Sequence, residues 1–590
     1  MNVYSFKAEC FSVKKILTII MKISVLPFGL IGVLSCLAGS ATALGQSNQP
    51  TVTVETQSIE AIQKVVVDMA GMIQPELKPV ASSMFAGIPL PSLDRTRPIG
   101  LAVWAELPAM APQVALYLPV TGEEAFKNDF EAVPGMFGAM TPSLFLNSGY
   151  QTLTLMPDLP KELAESWSPA GFASDSAMES TQTFSKSSPS LLRLRAHLSD
   201  GSVWRSQGLM GINMARMGMA QAMSSENDQM KELGFDPAGF MQVMELYFKV
   251  GETLVRGMGN LQIDIGSNGA ALFVEEQLYG VEGSDLAGWL KGGEWTGGLA
   301  PLLQHTQASD VLKIAMAIGK SETIVQGYSQ LIEASMKMQG VEGVEGLQEL
   351  FTNAAMEFFP MRTGGAVSLN PDNSSLEWLF AYDFNGKSID QLYPLLSNVV
   401  EAFKESGMVG PEKMYSAMDW KAASEQYAGV NIDRMTMELN ENSPLLKMPG
   451  QKEMLEFMYG GLKVTQDYAV LKDRYVGGSP AKLRHYIDEI QKGEVNTEAL
   501  EGLQPDEATC LYMSANLGEI ISKVVTMVAM ANKNNEDPGL DAVLKVLSAQ
   551  KGDMQVKINL KDGLRSITSL PVRTLGSLFF LGVTSQSQLQ

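Results

Sequence analysis

Apolar and polar positions alternate along three short segments of the chain. The segments are Leu192–Leu198, Val311–Ile318 and Cys510–Asn516. Because side chains alternate between the two faces of a strand, this spacing predicts strands with one apolar face. In the first segment the opposite face carries Arg193, Arg195 and His197. We expect that polar face to be solvated.

A helical pattern and then a β-hairpin follow each predicted strand. The helix after the second strand begins near Ser321 and repeats apolar residues on one face, at Ile324, Tyr328, Leu331 and Ile332. The first and third hairpins turn at Asn268-Gly269 and Asp562-Gly563, dipeptides that tolerate the positive φ of tight turns. The middle copy has a longer turn at 370–373. A strand–helix–hairpin unit is therefore repeated along the chain.

These repeats predict an α+β fold. We expect antiparallel sheets from the repeated strand–helix–hairpin units with long helices packed on one face, which buries the apolar stripes of both. Tyr150 and Arg474 each begin a strand that leads into a Pro-initiated helix, which indicates two related lobes. The predicted divisions are a signal peptide at 1–43, an N-terminal lobe at 44–292, a middle copy at 293–400 and a C-terminal lobe at 401–590.

The N-terminus has the pattern of an export signal. Lysines precede an apolar run from Ile23 to Ala38, and Ala41-Thr42-Ala43 is a small-residue cleavage site. Met21 is the expected initiator, since Met21-Lys22 alone begins a signal of ordinary length. Two alternatives remain, an uncleaved anchor and a lipoprotein cleaved before Cys36. The apolar run is shorter than the roughly 20 residues of a membrane span. We expect a periplasmic or extracellular protein, soluble after cleavage.

The acidic balance limits the partners of the chain. The formal net charge is −21, which argues against nucleic acid and anionic membrane surfaces because both attract positive protein surface. An apolar small molecule or a protein partner stays compatible with this charge, and the sequence does not determine the oligomeric state. Signal cleavage would leave Cys510 as the only cysteine of the mature chain. We therefore expect no disulfide and a buried, inert thiol.

Motifs with catalytic or metal-binding potential have simpler structural interpretations. His197, His305 and His485 have no zinc-ligand spacing. Gly319-Lys320-Ser321 lacks the upstream glycine of a phosphate-binding loop. Ser479-Pro480-Ala481-Lys482 matches the S-x-x-K pair of penicillin-recognising enzymes but also an ordinary helix start, and the companion motifs are absent. We therefore expect no catalytic residue, metal or cofactor.

Methionine is unusually frequent, with 36 residues. One helix carries Met210, Met214, Met217, Met219 and Met223. The interpretations are soft core packing, an adaptable apolar groove, or a copper(I) site at Met214 and Met217. We expect Met214 and Met217 to be buried in the core and a ligand groove near Met219 and Met223.

Two segments carry a family resemblance. The strand at 97–103, followed by a strand ending in Pro119-Val120-Thr121 and an acidic helix start, resembles the opening of large exported proteins from planctomycetes and related bacteria. The segments at 426–439 and 475–483 are similar to that family too. The resemblance implies an exported protein without an established activity, and it carries over no functional residues.

The leading functional hypothesis is an exported, non-catalytic protein that binds an apolar ligand or a protein partner in the cell envelope. One alternative is a secreted or periplasmic hydrolase that uses carboxylates. A third hypothesis is a structural component of the envelope.

The export pattern predicts cleavage after Ala43. N-terminal sequencing of the exported protein should therefore begin at Leu44, because small residues occupy the positions that signal peptidase reads. A lipidated Cys36, or an intact apolar segment in the membrane fraction, would contradict this expectation.

Overall fold

The computed structural model describes residues 49–574, apart from several short gaps and the longer segments 105–112, 133–139, 170–189, 339–348, 385–393, 494–504 and 523–552. The signal segment, His305 and the Gly319-Lys320-Ser321 turn beyond Gly319 lie outside the described residues. No helix within the described part of the chain has the length and apolar character needed to cross a membrane.

The described residues form one sheet of 18 strands. The strands of the N-terminal part are β1 Val52–Thr56, β2 Ile99–Trp104, β3 Gln113–Pro119, β4 Thr141–Leu146, β5 Tyr150–Thr154, β6 Ser190–His197, β7 Met258–Ser267 and β8 Ala271–Gly280. The remaining strands are β9 Leu312–Ile318, β10 Met361–Leu369, β11 Leu376–Asp383, β12 Tyr415–Tyr427, β13 Val430–Leu439, β14 Lys463–Leu471, β15 Arg474–Gly478, β16 Thr509–Ala515, β17 Met554–Leu560 and β18 Leu564–Pro571.

Helices lie between many of these strands. Those before β7 are α1 Ile59–Ile73, α2 Leu77–Ala86, α3 Glu123–Ala132, α4 Lys161–Glu165, α5 Val203–Glu232 and α6 Pro237–Gly257. Those after β8 are α7 Asp285–Leu290, α8 Glu322–Met338 and α9 Pro480–Lys492. A short 3-10 turn spans Ala300–Leu303.

Strand pairing is antiparallel throughout the sheet and runs in a single open order. From edge to edge the order is β4-β5-β3-β2-β1-β6-β7-β8-β18-β17-β16-β9-β10-β11-β15-β14-β13-β12. The predicted strands β6, β9 and β16 and their hairpins are confirmed. In each unit the first strand pairs with the first strand of its own hairpin.

The predicted fold class is wrong. Instead of separate sheets with long helices on one face, strands from all three predicted segments share one sheet, because β8 pairs with β18 and β16 pairs with β9. Helices also cover both faces at the N-terminal end. Val54 and Leu101 pack on one face with Phe126 of α3, whereas Tyr117 packs on the other with Leu163 of α4. The proposed domain boundaries stay a prediction.

One row of aligned residues crosses almost the whole sheet. We call it the central row, and it contains Thr152, Tyr117, Gly100, Glu55, Arg193, Asp264, Glu275, Ile567, Lys557, Tyr512, Ala315, Gly364, Ala381, Val476, Ala469 and Ile432. Its ends are mostly apolar or small and its middle is charged. The face that contains this row is therefore a packed core at both ends and a polar network between them.

The core at the C-terminal end of the central row depends on small residues in the strands. Ala315, Ala381 and Ile432 belong to one buried cluster with Leu302 of the 3-10 turn and Leu483 of α9. A Cβ added to Gly364 would lie 2.6 Å from the Cβ of Leu302, so a larger residue there would displace the turn. Helix α9 ends at Gly493, whose positive φ of 72° favours glycine.

The edge strand β12 is interrupted rather than flat. The β12–β13 register shifts between Lys421 and Glu425, and Ala423 within that bulge has φ of 46°. The Ala423 N–H donates to the Asp433 carboxylate at 2.7 Å. Such a bulge twists an edge and hinders pairing with another chain through the ladder.

The packing of α9 predicts that truncating two leucines will have very different effects on the free energy of unfolding. Leu483 is fully buried, whereas Leu155 is 46% exposed just after β5. Leu483→Ala should lower the free energy of unfolding by about 2–5 kcal/mol through lost burial and a cavity, and Leu155→Ala should change it by no more than about 0.5 kcal/mol. Urea denaturation measures both, and equal small losses would show that α9 does not pack on the sheet.

Candidate functional site

Helices α5 and α6 form a hairpin between β6 and β7. Asp236 caps the start of α6, since its carboxylate accepts hydrogen bonds from Ala238 N and Gly239 N. The two helices approach closely at glycines. A Cβ on Gly208 would lie 3.0 Å from Val255. These contacts fix which side of α5 meets α6.

The methionines of α5 divide between two sides of the helix. Met223 is buried and Met219 is half-buried. The helical repeat places both on the side of α5 that carries Gly208, which contacts α6. Met210, Met214 and Met217 are 57%, 59% and 65% exposed. The expectation that Met214 and Met217 lie in the core is therefore wrong. The assignment of Met219 and Met223 to a ligand groove stays a prediction.

The exposed methionines have small neighbours on the same helix. Gly211, Ala215 and Gly218 are exposed and repeat the four-then-three spacing of Met210, Met214 and Met217, one residue later. A Cβ added to Gly211 or to Gly218 would meet nothing within 4 Å. We call this surface the methionine face, defined by Met210, Met214, Met217, Gly211, Ala215 and Gly218. It consists of a ridge of thioethers beside a shallow groove.

The methionine face is free of charge. From Ser206 to Met223 the only ionisable side chain is Arg216, and it is turned toward α6. Its guanidinium contacts Glu245 at 2.9 Å and Glu252 at 2.7 Å, and these hydrogen bonds raise the pKa of Arg216. Exposed apolar surface of this kind commonly marks an interaction site.

Exposed apolar residues of α6 lie on the groove side of the hairpin. Tyr247 and Val250 are 60% and 44% exposed. At 100° per residue, both point away from the side of α6 that carries Glu245 and Glu252. On α5 the same reckoning places Gly211 and Gly218 about 140–160° from Arg216 and Ala215 about 100° from it. The groove and these two side chains therefore share one side of the hairpin, and the ion pairs occupy the other.

The described histidines form no catalytic or metal-binding group. His197 is exposed and its Nδ1 lies 3.0 Å from the Asn260 side-chain oxygen. His485 contacts Glu489 at 3.3 Å within its own helix. Within the described ranges no three side chains of His, Cys, Asp or Glu are arranged to hold a metal ion.

The S-x-x-K motif is structural. Ser479 occupies the N-cap position of α9, and its hydroxyl accepts a hydrogen bond from the Trp378 N–H at 3.1 Å. Lys482 donates instead to Asp310 at 2.5 Å and to Ser368 at 2.7 Å. The serine and lysine therefore bind different partners, and the lysine is committed to a buried carboxylate.

Carboxylates in the charged middle of the central row are also paired. Arg193 and Asp264 are each 2% exposed and form an ion pair at 2.7 Å, so the expectation that this polar face is solvated is wrong for Arg193. Ser190 and Gln262 also donate to Asp264. Glu275 pairs with Arg565. A buried pair is stable only with such additional hydrogen bonds, which indicates a structural role.

A second charged cluster lies on the same face near the other edge. Asp467, fully buried, accepts hydrogen bonds from Arg434 at 2.7 Å and from Arg484 at 3.1 Å. Glu425 contacts the same two guanidiniums. The two carboxylates and the two guanidinium groups balance in charge, and hydrogen bonds to Asp467 raise the pKa of Arg434, which indicates a structural role for this cluster.

Comparison with known proteins adds no assignment: no family model matches the chain, and neither the curated proteins nor the solved structures include a match. The exposed methionine face is therefore the candidate site that the geometry itself offers.

The environment of Cys510 predicts a thiol that reacts slowly with alkylating agents. Cys510 is half-buried rather than buried as expected. This partial burial raises its pKa to about 11 from an ordinary value of 9.0, and its Sγ–H donates to Ile558 O. At pH 8 alkylation by iodoacetamide should be roughly 100-fold slower than for a cysteine peptide, because only the thiolate reacts. Peptide-resolved mass spectrometry measures the alkylation rate at Cys510. Unfolding in urea should raise that rate to the value of a cysteine peptide. Fast alkylation of the folded protein would contradict the expectation of an inert thiol.

Proposed function

We propose that this is an exported, non-catalytic protein that binds a protein partner through the methionine face of α5. The observation that carries the proposal is the exposure of Met210, Met214 and Met217 at 57–65% along one helix side. Methionine suits a recognition surface because its flexible, polarisable side chain adapts to different shapes. A chain that exposes such a row without a partner also exposes itself to aggregation.

Several observations favour binding over catalysis. The thiol of Cys510 has a raised pKa, and Lys482 is paired with Asp310 rather than with Ser479. The carboxylates Asp264, Glu275 and Asp467 are each paired with guanidinium groups. A hydrolase that depends on two carboxylates needs both within reach of its substrate, whereas these three carboxylates are hydrogen-bonded to guanidinium groups of the protein itself.

Oxidation of the methionines tests this function in the producing cells. In dilute purified protein, hydrogen peroxide should oxidise Met210, Met214 and Met217 about as fast as Met72, since exposed thioethers form sulfoxides readily. Met72 is a matched control because it is 41% exposed on α1, away from the methionine face.

In intact cells, or in the medium that holds the protein, a bound partner should slow oxidation of the three face residues by roughly fivefold or more and leave Met72 unchanged. Mass spectrometry of the four sulfoxides gives the ratio. Equal oxidation of all four methionines in cells would mean that the face is uncovered, and the proposal would fail.

A further inference from the structure

One buried carboxylate of the sheet lacks the partner that the others have. Asp433 of β13 is 3% exposed, and no arginine or lysine in the described part of the chain pairs with it. Its Oδ1 accepts a hydrogen bond from the Ala423 N–H at 2.7 Å, whereas its Oδ2 is buried without a donor. The other buried carboxylates of the described residues each pair with an arginine or a lysine, and they are Glu55, Asp264, Glu275, Asp310 and Asp467.

The unpaired carboxylate is unfavourable for the chain alone. Removal of a charge from water destabilises the folded state unless an opposite charge or several hydrogen bonds compensate for it. The single hydrogen bond from Ala423 holds the bulge of β12 and leaves Oδ2 uncompensated. Asp433 therefore keeps a negative charge in a buried position where a cation from outside the chain would be stabilised.

An aromatic ring lies beside Asp433 on the same face of the sheet. Asp433 follows Ile432 of the central row, and Tyr468 precedes Ala469 of that row, so both side chains point to the face opposite the row. Asp433 and Tyr468 are also direct cross-strand partners, whose Cβ atoms lie about 4.5–5.5 Å apart in such a pair. The carboxylate and the phenol ring are therefore neighbours.

Trp420 of the edge strand β12 adds a second ring to this group. It pairs with Met435, two residues from Asp433, and so shares the same face. The Trp420 and Tyr468 ring centroids are 5.5 Å apart with their planes inclined at 55°, and both residues are half-buried. The Tyr468 hydroxyl donates to Gln466, so Tyr468 offers its ring to the site and its proton elsewhere.

We propose that Asp433, Trp420 and Tyr468 form a binding site for the protonated primary amine of a small organic molecule. An ammonium group supplies the N–H donor that Oδ2 needs and the positive charge that the carboxylate needs. The same charge is attracted by the faces of the two aromatic rings. This site is separate from the methionine face and does not depend on the function proposed above.

The surroundings favour an organic cation over other occupants. A calcium or magnesium ion requires about six oxygen ligands, whereas one carboxylate and two rings offer far fewer. A peptide bound along the edge would have to pair with β12, whose register the bulge at Ala423 interrupts. A small cation needs neither, and the formal net charge of −21 attracts it toward the protein.

Isothermal titration calorimetry of the wild-type protein with butylammonium chloride tests the site. Saturable binding should occur at millimolar concentration, because so small a ligand makes few contacts. The neutral 1-butanol, of equal length, should give no measurable binding. Tetramethylammonium chloride should bind about fivefold more weakly or less, since it is a cation without an N–H. Sodium chloride equalises the ionic strength in all titrations.

Three variants locate the amine. Asp433→Asn retains a side-chain oxygen for the Ala423 N–H but removes the charge, and should weaken butylammonium binding about tenfold or more. Trp420→Leu leaves the carboxylate in place and should weaken binding about fivefold through the lost ring. Asp419→Asn is the matched control, because Asp419 is exposed on the opposite face of the same strand. Its affinity should equal that of the wild type.

The outcomes decide the proposal even if one variant fails. Thermal unfolding shows whether each variant folds, and the ligand series on the wild type together with Trp420→Leu decides the matter if Asp433→Asn does not. Absence of saturable butylammonium binding, equal binding of 1-butanol, or an unchanged affinity in folded Asp433→Asn would overturn the site. Equal losses in Asp433→Asn and Asp419→Asn would show only general attraction to an acidic protein, and would overturn it too.

Discussion

Backbone pairing between β8 and β18 is the constraint on which the rest of this fold depends. It joins an N-terminal set of eight strands to a C-terminal set of ten in one antiparallel ladder. This ladder also fixes the central row, because the strand pairings must align Glu55, Arg193, Asp264 and Glu275 on one face. A slip of one residue would move a charged side chain to the opposite face. The buried ion pairs therefore reinforce the same register that the backbone hydrogen bonds define.

Local pattern predicted the strands and hairpins well. Alternation placed β6, β9 and β16, and the turn at Gly269 has the positive φ of 87° that its Asn-Gly sequence indicates. The order of the strands could not be predicted in the same way, since the pairing of β8 with β18 leaves no local signal. Arg193 illustrates the same limit, because the alternation marked it as polar but its buried partner Asp264 lies 71 residues away.

Part of the candidate site could have been predicted from the sequence. At 100° per residue, Met210, Met214 and Met217 point away from Met219 and Met223, so a single helix could not bury all five on one side. What the sequence lacked was the neighbour of α5. The contact between Gly208 and Val255 of α6 decides which methionines are covered, and that contact is tertiary. The groove residues were missed because glycine and alanine in a helix carry no distinctive chemistry.

The position of β18 in the middle of the sheet also determines when, during synthesis of the chain, the two sets of strands can pair. Arg565 and Glu275 touch across a sequence separation of 290 residues, so β8 keeps an unpaired edge until a segment near the end of the described chain has been synthesised. Contacts of such separation are slow to form because a long loop must close first. Closure of the joined sheet therefore waits until all the strands between β8 and β18 in the sequence have been synthesised.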